Sequence, residues 1–361
     1  MVPATIGSQD SFKRPRTNYQ GNFMPASSVA LLRILLPAIL AYSLLGCASS
    51  KGTDDRWFEP GPYQVGHSNE VVLYDAVQER DVTLQVAWPT SGGPFPVVVF
   101  SAGAFCYPQQ YANITDFWVS HGYVVVLPNH LDSPNRGKIK PDEISKMLSA
   151  RVQDMSFVLD SLGAIEVQVP ELAGRIDADN AAVAGHSFGG MIAMVKSGLH
   201  MQNSSGELLE DYADPRFRAA IVMSGVGQVP PMANMPEVAY MTDAAFTGLT
   251  GPLIASGGTL DEGNVGTGVV YPWEWRMAPY TLAPAGDKYS LVLLDADHYL
   301  GGLICREDRG GPDDPEAVNT VRAAQTAFLD AYLKDDESAE RWLQSTDFAA
   351  LTAGRAELIY K

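Results

Sequence analysis

The chain has 361 residues, 46% of them hydrophobic and 19% charged, enough apolar material for a substantial core and unlike a disordered or fibrous chain. Its 42 acidic and 25 basic residues leave a formal net charge of −17, which would repel a phosphate backbone, so no nucleic-acid partner is expected. The three cysteines are too few for a disulfide scaffold, and no histidine or cysteine cluster has metal-ligand spacing, so neither a metal nor a cofactor is expected.

Residues 30–45 read ALLRILLPAILAYSLL, with Lys13, Arg14 and Arg16 upstream and Met24 as an alternative start. The apolar stretch 34–45 falls short of the roughly 20 residues a spanning helix needs, and Pro37 interrupts it, so residues 1–46 read as a signal peptide. The ending Leu44-Leu45-Gly46-Cys47 resembles the lipobox of bacterial lipoproteins. That resemblance implies lipidation of Cys47 and an exported protein anchored to a bacterial membrane, facing the periplasm or exterior. An uncleaved anchor and an ordinary cleaved signal are the alternatives. Residues 47–62 are polar and turn-rich and read as a tether, which leaves 63–361 as one domain, expected to be monomeric.

Within that domain, strand-like apolar runs alternate with helical patterns, as in a mostly parallel sheet covered on both faces. Residues 71–74 and 82–88 read as opening strands, 95–100 (FPVVVF) as a buried central strand, 111–121 as a helix and 123–127 as the next strand. Residues 144–162 carry apolar side chains at helical spacing. A short strand at 181–184 and a helix at 190–199 follow, then strands at 219–223, 253–256 and 289–294 and a closing helix at 315–333. Eight strands in one sheet are expected, with no large lid, because fewer than 30 residues separate the strands at 219–223 and 253–256.

Gly185-His186-Ser187-Phe188-Gly189 lies between that strand at 181–184 and the following helix, the context a Gly-x-Ser-x-Gly nucleophile turn requires. A serine hydroxyl needs a base, and the base needs an orienting acid. Only His200 and His298 follow Ser187, and His200 ends the helix launched by the turn, so His298 is the base. Asp261, in the loop after the strand at 253–256, is the first choice for the acid, with Glu262 and Asp243 as rivals. The oxyanion N–H groups are assigned to Phe188 and Ala104, with Phe105 close behind Ala104. Phe105, Tyr107, Trp273 and Trp275 are candidate substrate contacts. Cys106 and Cys305 lie on loops beside the site, either as a disulfide or as two thiols. The acidic loop 308–316 reads as a solvated loop, with calcium binding as the lesser alternative.

The segments PVVVFSAG, FWVSHGYVVVLPNH, RVQDMSFVLDSL, GHSFGG and DPRFRAAIVMSG resemble the α/β-hydrolase fold in its platelet-activating-factor acetylhydrolase-like branch. The chlorophyllase, dienelactone hydrolase and polyester hydrolase groups are its neighbours. Ala102 stands where that branch often has histidine, and Ser187 differs from the cysteine of dienelactone hydrolases. The resemblance implies a serine esterase or lipase acting on lipid-like or other small esters, and on polyesters. A peptidase or amidase with the same triad, or a surface-binding lipoprotein without catalysis, would be built from the same parts.

Overall fold

The computed structural model describes residues 55–361, apart from 204–205, 231–239, 265–268, 307 and 309–310. The signal peptide, Met24 and Cys47 lie outside the described residues. Among those described, no helix is long and apolar enough to cross a membrane.

The strands are β1 Val65–Asp75, β2 Arg80–Pro89, β3 Phe95–Ser101, β4 Val124–Pro128, β5 Ile176–His186, β6 Phe217–Met223, β7 Leu253–Gly258, β8 Gly263–Asn264, β9 Val270–Tyr271, β10 Lys288–Leu293 and β11 Ala356–Tyr360. Nine of them form one sheet in the order β1-β2-β4-β3-β5-β6-β7-β10-β11, and β8 pairs with β9 as a separate ribbon. From β4 to β10 every neighbouring pair is parallel, while β1, β2 and β11 close the two edges antiparallel. All seven residues of β3 are buried, as a strand covered on both faces requires.

The helices are α1 Ala112–Ser120, α2 Pro141–Ile144, α3 Met147–Asp160, α4 Leu162–Gln168, α5 Phe188–Lys196, α6 Ala278–Thr281, α7 Pro315–Leu333, α8 Glu337–Ser345 and α9 Phe348–Leu351. Side chains of α1, α7 and α8 fill the core on one face of the sheet, and those of α3, α5 and α6 fill the other. Fold and parallel core agree with the sequence reading. The eight-strand count does not: β11 adds a ninth, pairing with β10 at the edge. The helix expected over 144–162 is interrupted into α2, α3 and the start of α4. Residues 55–62 are also not a free tether. Trp57 is 1% exposed, its ring lies 4.6 Å from that of Trp342, and its indole N–H donates to Asp330 at 2.9 Å.

The strand order places β5 beside β3 although β4 intervenes in sequence, so the connections diverge there and leave a crevice at the carboxyl ends. Ser101 at the end of β3 is in register with Gly185 on β5, and Gly258 on β7 with Leu293 on β10. The loops after β3, β5, β7 and β10 therefore leave the sheet on one side.

Candidate active site

The turn after β5 explains the glycines in its motif. Ser187 has φ 56° and ψ −118°, a left-handed conformation at the N-cap of α5. Holding a serine there costs on the order of 1–3 kcal/mol, which the surrounding structure must offset. A Cβ on Gly185 would lie 2.1 Å from the Gly189 carbonyl oxygen, and one on Gly189 would lie 1.9 Å from that of Ser101. Glycine at both positions lets strand, turn and helix close up, and the Ser187 N–H is fixed to the Met223 carbonyl at 2.9 Å.

His298 and Ser187 line one cleft of about 470 Å³, together with Ala104, Phe105, Tyr299 and Arg306. His298 Nδ1 lies 2.8 Å from Asp261 Oδ1, so a proton on Nδ1 is donated to the carboxylate and Nε2 is left for chemistry. Asp261 is buried. Burial alone would raise its carboxyl pKa, but the hydrogen bond and charge of His298 and the charge of Arg276 hold it below the usual carboxylate range. Neither rival acid holds the imidazole. Glu262 lines the cleft, and Asp243 instead accepts a hydrogen bond from Gln228 at 2.9 Å.

The loop after β3 separates the two oxyanion candidates. The Phe105 N–H donates to Asp132 Oδ2 at 2.9 Å and is thereby committed, whereas Ala104 lines the cleft with Ser187. Phe188 begins α5, whose amino end adds positive potential.

Of the proposed substrate contacts, Phe105 lines the cleft and is 46% exposed. The other three do not line it. Trp275 is 7% exposed; it stacks on Tyr271 at 4.8 Å and donates to the Gln228 carbonyl at 2.8 Å. Burying that large ring stabilises the insertion more than exposing it would. Trp273 packs partly against the same core, and Tyr107 caps the 3-10 turn Pro108–Tyr111. In the acidic loop, Asp314 caps α7 through the Ala317 N–H and pairs with Arg355.

Three features escaped the sequence reading. Arg276 is buried and donates through Nε to Asp261 Oδ1 at 3.1 Å. Its other nitrogens reach the carbonyls of Ser224, Gly225 and Glu262, each at 3.3 Å. A second feature is a hydrogen-bond chain. The Gly103 N–H donates to Tyr111 Oη at 2.8 Å, Tyr111 Oη meets His186 Nδ1 at 3.0 Å, and His186 Nε2 meets the His298 carbonyl at 2.9 Å. That carbonyl can only accept, so His186 carries its proton on Nε2 and accepts from Tyr111 at Nδ1. Burial, then the neighbouring His298, push His186 well below the ordinary histidine range, in keeping with a neutral ring. The third is a dense group of buried polar side chains around Arg151. In addition, Cys106 and Cys305 form a disulfide with Cα atoms 5.3 Å apart, tying the loop after β3 to the loop that carries His298.

Residues 54–226 match the family model described as Chlorophyllase. The match runs from before β1 through the Ser187 turn to just beyond β6, ending before the loops that carry Asp261 and His298. No curated protein matches the chain. The family match implies an ester hydrolase. With a mostly parallel sheet covered by helices on both faces, the chain has the α/β-hydrolase fold, and its residues 54–226 are similar to the chlorophyllase family.

Proposed function

We propose that this protein is a serine carboxylic-ester hydrolase working through an acyl-enzyme on Ser187. The observation that carries the reading is the left-handed Ser187 at a strand-to-helix turn, opening on the same cleft as a His298 anchored to buried Asp261. His298 Nε2 takes the Ser187 proton while Oγ attacks the ester carbonyl carbon. The carbonyl π electrons move to oxygen, where the Ala104 and Phe188 N–H groups receive the negative charge. As the tetrahedral intermediate collapses, the C–O bond to the alcohol breaks and His298 returns the proton to the leaving oxygen. Water then attacks the acyl carbon with His298 again as base, releasing the acid and free Ser187. Asp261 stabilises the imidazolium and fixes its tautomer without accepting the proton.

The substrate reading is a lipid-like or other small ester, with polyesters as an extension. It is supported by the modest cleft, by exposed Phe105 at its rim and by the few residues, 224–252, that join β6 to β7. Export and membrane attachment through Cys47 remain part of the proposal. They rest on the leader sequence, and a disulfide between Cys106 and Cys305 suits an oxidising compartment.

The test is hydrolysis of p-nitrophenyl esters from acetate to palmitate by the purified protein and by Ser187→Ala. Ester turnover lost in Ser187→Ala is the expected result, and the chain-length optimum then separates small-ester from lipase-like use. A folded protein that turns over no ester, or a Ser187→Ala variant that keeps its activity, refutes the reading.

A further inference from the structure

The segment RVQDMSFVLDSL, singled out in sequence and assigned no role there, supplies Arg151 and Asp154 from one face of α3. Arg151 is 0% exposed, and its guanidinium finds an acceptor for every N–H it has. Nε and Nη2 grip Asp132 as a fork at 2.9 and 2.8 Å. Nη2 also reaches the Gly103 carbonyl at 3.0 Å, and Nη1 reaches the Ala102 carbonyl and, at 3.3 Å, Ser101 Oγ. Three consecutive residues leading into Ala104 are thus held by one side chain, and the Phe105 N–H on the other side of Ala104 is held by the same Asp132. On its flat face the guanidinium carbon lies 4.8 Å from the centre of the Phe188 ring.

Behind Arg151 stands a second serine–histidine–aspartate set. Ser101 Oγ lies 2.9 Å from His130 Nε2, and His130 Nδ1 lies 2.8 Å from Asp154 Oδ2. Arg80 and Gln78 also bind Asp154. All three members are buried and none lines the cleft, so no substrate reaches them. The carboxylate accepts the Nδ1 proton, Nε2 accepts from Ser101, and Ser101 accepts from Arg151. The set is a brace, with every donor directed toward an acceptor.

We propose that Arg151, backed by Asp132 and the Ser101–His130–Asp154 set, is a positioning residue that holds the Ala104 and Phe188 N–H groups in mutual register for the oxyanion. The inference rests on the esterase reading above. Each arm of the oxyanion site comes from a different strand end, and Arg151 touches both. Its fork fixes angle as well as distance, which a lysine at the same position cannot do.

The experiment compares Arg151→Lys, Asp132→Asn and the doubly neutral Arg151→Met/Asp132→Leu with the unmodified protein. The double variant leaves no unpaired buried charge, which keeps the comparison readable if a single change unfolds the chain. Turnover is expressed per serine titrated with a p-nitrophenyl phosphonate, so unfolded molecules drop out. Each protein is assayed on an ester and on its thionoester, whose sulfur is a weak hydrogen-bond acceptor. Misplaced donors lower kcat on the oxygen ester by about 100-fold, the scale of losing one oxyanion donor, with KM within about twofold. The preference for oxygen over sulfur ester shrinks by about tenfold or more. Turnover per titrated serine within about threefold of the unmodified protein overturns the proposal, as does an equal loss on both esters. An unmodified protein that neither turns over ester nor reacts with the phosphonate instead refutes the esterase reading.

Discussion

Replacing Tyr111 with phenylalanine removes one oxygen atom and interrupts the chain from Gly103 to His298 at its middle. The ring itself remains, packed 4.7 Å from Phe100. Two buried groups lose their partner, the Gly103 N–H and His186 Nδ1, and each costs about 1–3 kcal/mol when left unsatisfied. The hydroxyl no longer has to be desolvated, which offsets part of this, so a net loss of about 2–4 kcal/mol is expected. For roughly 300 ordered residues the unfolding entropy is about 0.6 kcal/mol/K, which converts that loss to a fall in Tm of roughly 3–6 °C. Gly103 precedes Ala104, so kcat should fall with stability while KM changes little. Thermal melts followed by circular dichroism and ester kinetics on the same samples check both effects. A Tm within about 1 °C of the parent would show that water replaces the hydroxyl and that the chain carries no stability. A lowered Tm with unchanged kcat would show that it stabilises the domain without aligning the site.

Burial holds His121, His130 and His186 below the ordinary histidine range. The unfolded chain takes up protons near pH 6.5 that these rings refuse when folded, so stability should decline as pH falls below about 6.5, by up to about 1.4 kcal/mol per unit for each ring. His67, raised through its hydrogen bond with Asp116, acts in the opposite sense: its contribution is full below about 6.5 and lost as pH rises through its folded value. Urea midpoints between pH 5 and 7.5 that stay flat would contradict the buried neutral rings. Cys106→Ser and Cys305→Ser, singly or together, should cost about 2–5 kcal/mol because the bond closes a long loop, and denaturant midpoints with and without reductant measure it. Arg276→Met removes a cation that shares Asp261 Oδ1 with His298, so the imidazolium formed during turnover loses a repelling neighbour. It also takes a charged donor from the buried Asp261, so stability should fall by about 1.5–3 kcal/mol; an unchanged urea midpoint at pH 7 would refute the arrangement.

The elements readable in the sequence are those whose pattern is local. The buried run FPVVVF, the Gly-x-Ser-x-Gly turn and the amphipathic α7 each declare themselves within a few residues. β11 does not, because only Ala356 of its five residues is buried and the strand exists by pairing with β10. Asp261 could be ranked by order along the chain but not separated from Glu262, since both occupy one loop and only geometry shows which carboxylate meets His298. Trp275 illustrates the converse error. An aromatic on a loop near the site reads as a substrate contact, yet apolar area drives it inward against Tyr271, with the Arg276 guanidinium carbon over its ring, 5.1 Å from the centroid.

Arg151, Arg276 and His186, which escaped detection, share one property: each acts on a backbone group far away in sequence. Arg151 binds carbonyls 48 and 49 positions upstream, and His186 binds one 112 positions downstream. Carbonyl acceptors carry no residue identity, so no motif records them. The reacting atoms are named by side chains and can be found from spacing. The alignment of those atoms depends on backbone held by buried polar side chains, and a buried arginine with every donor occupied is where that dependence becomes visible.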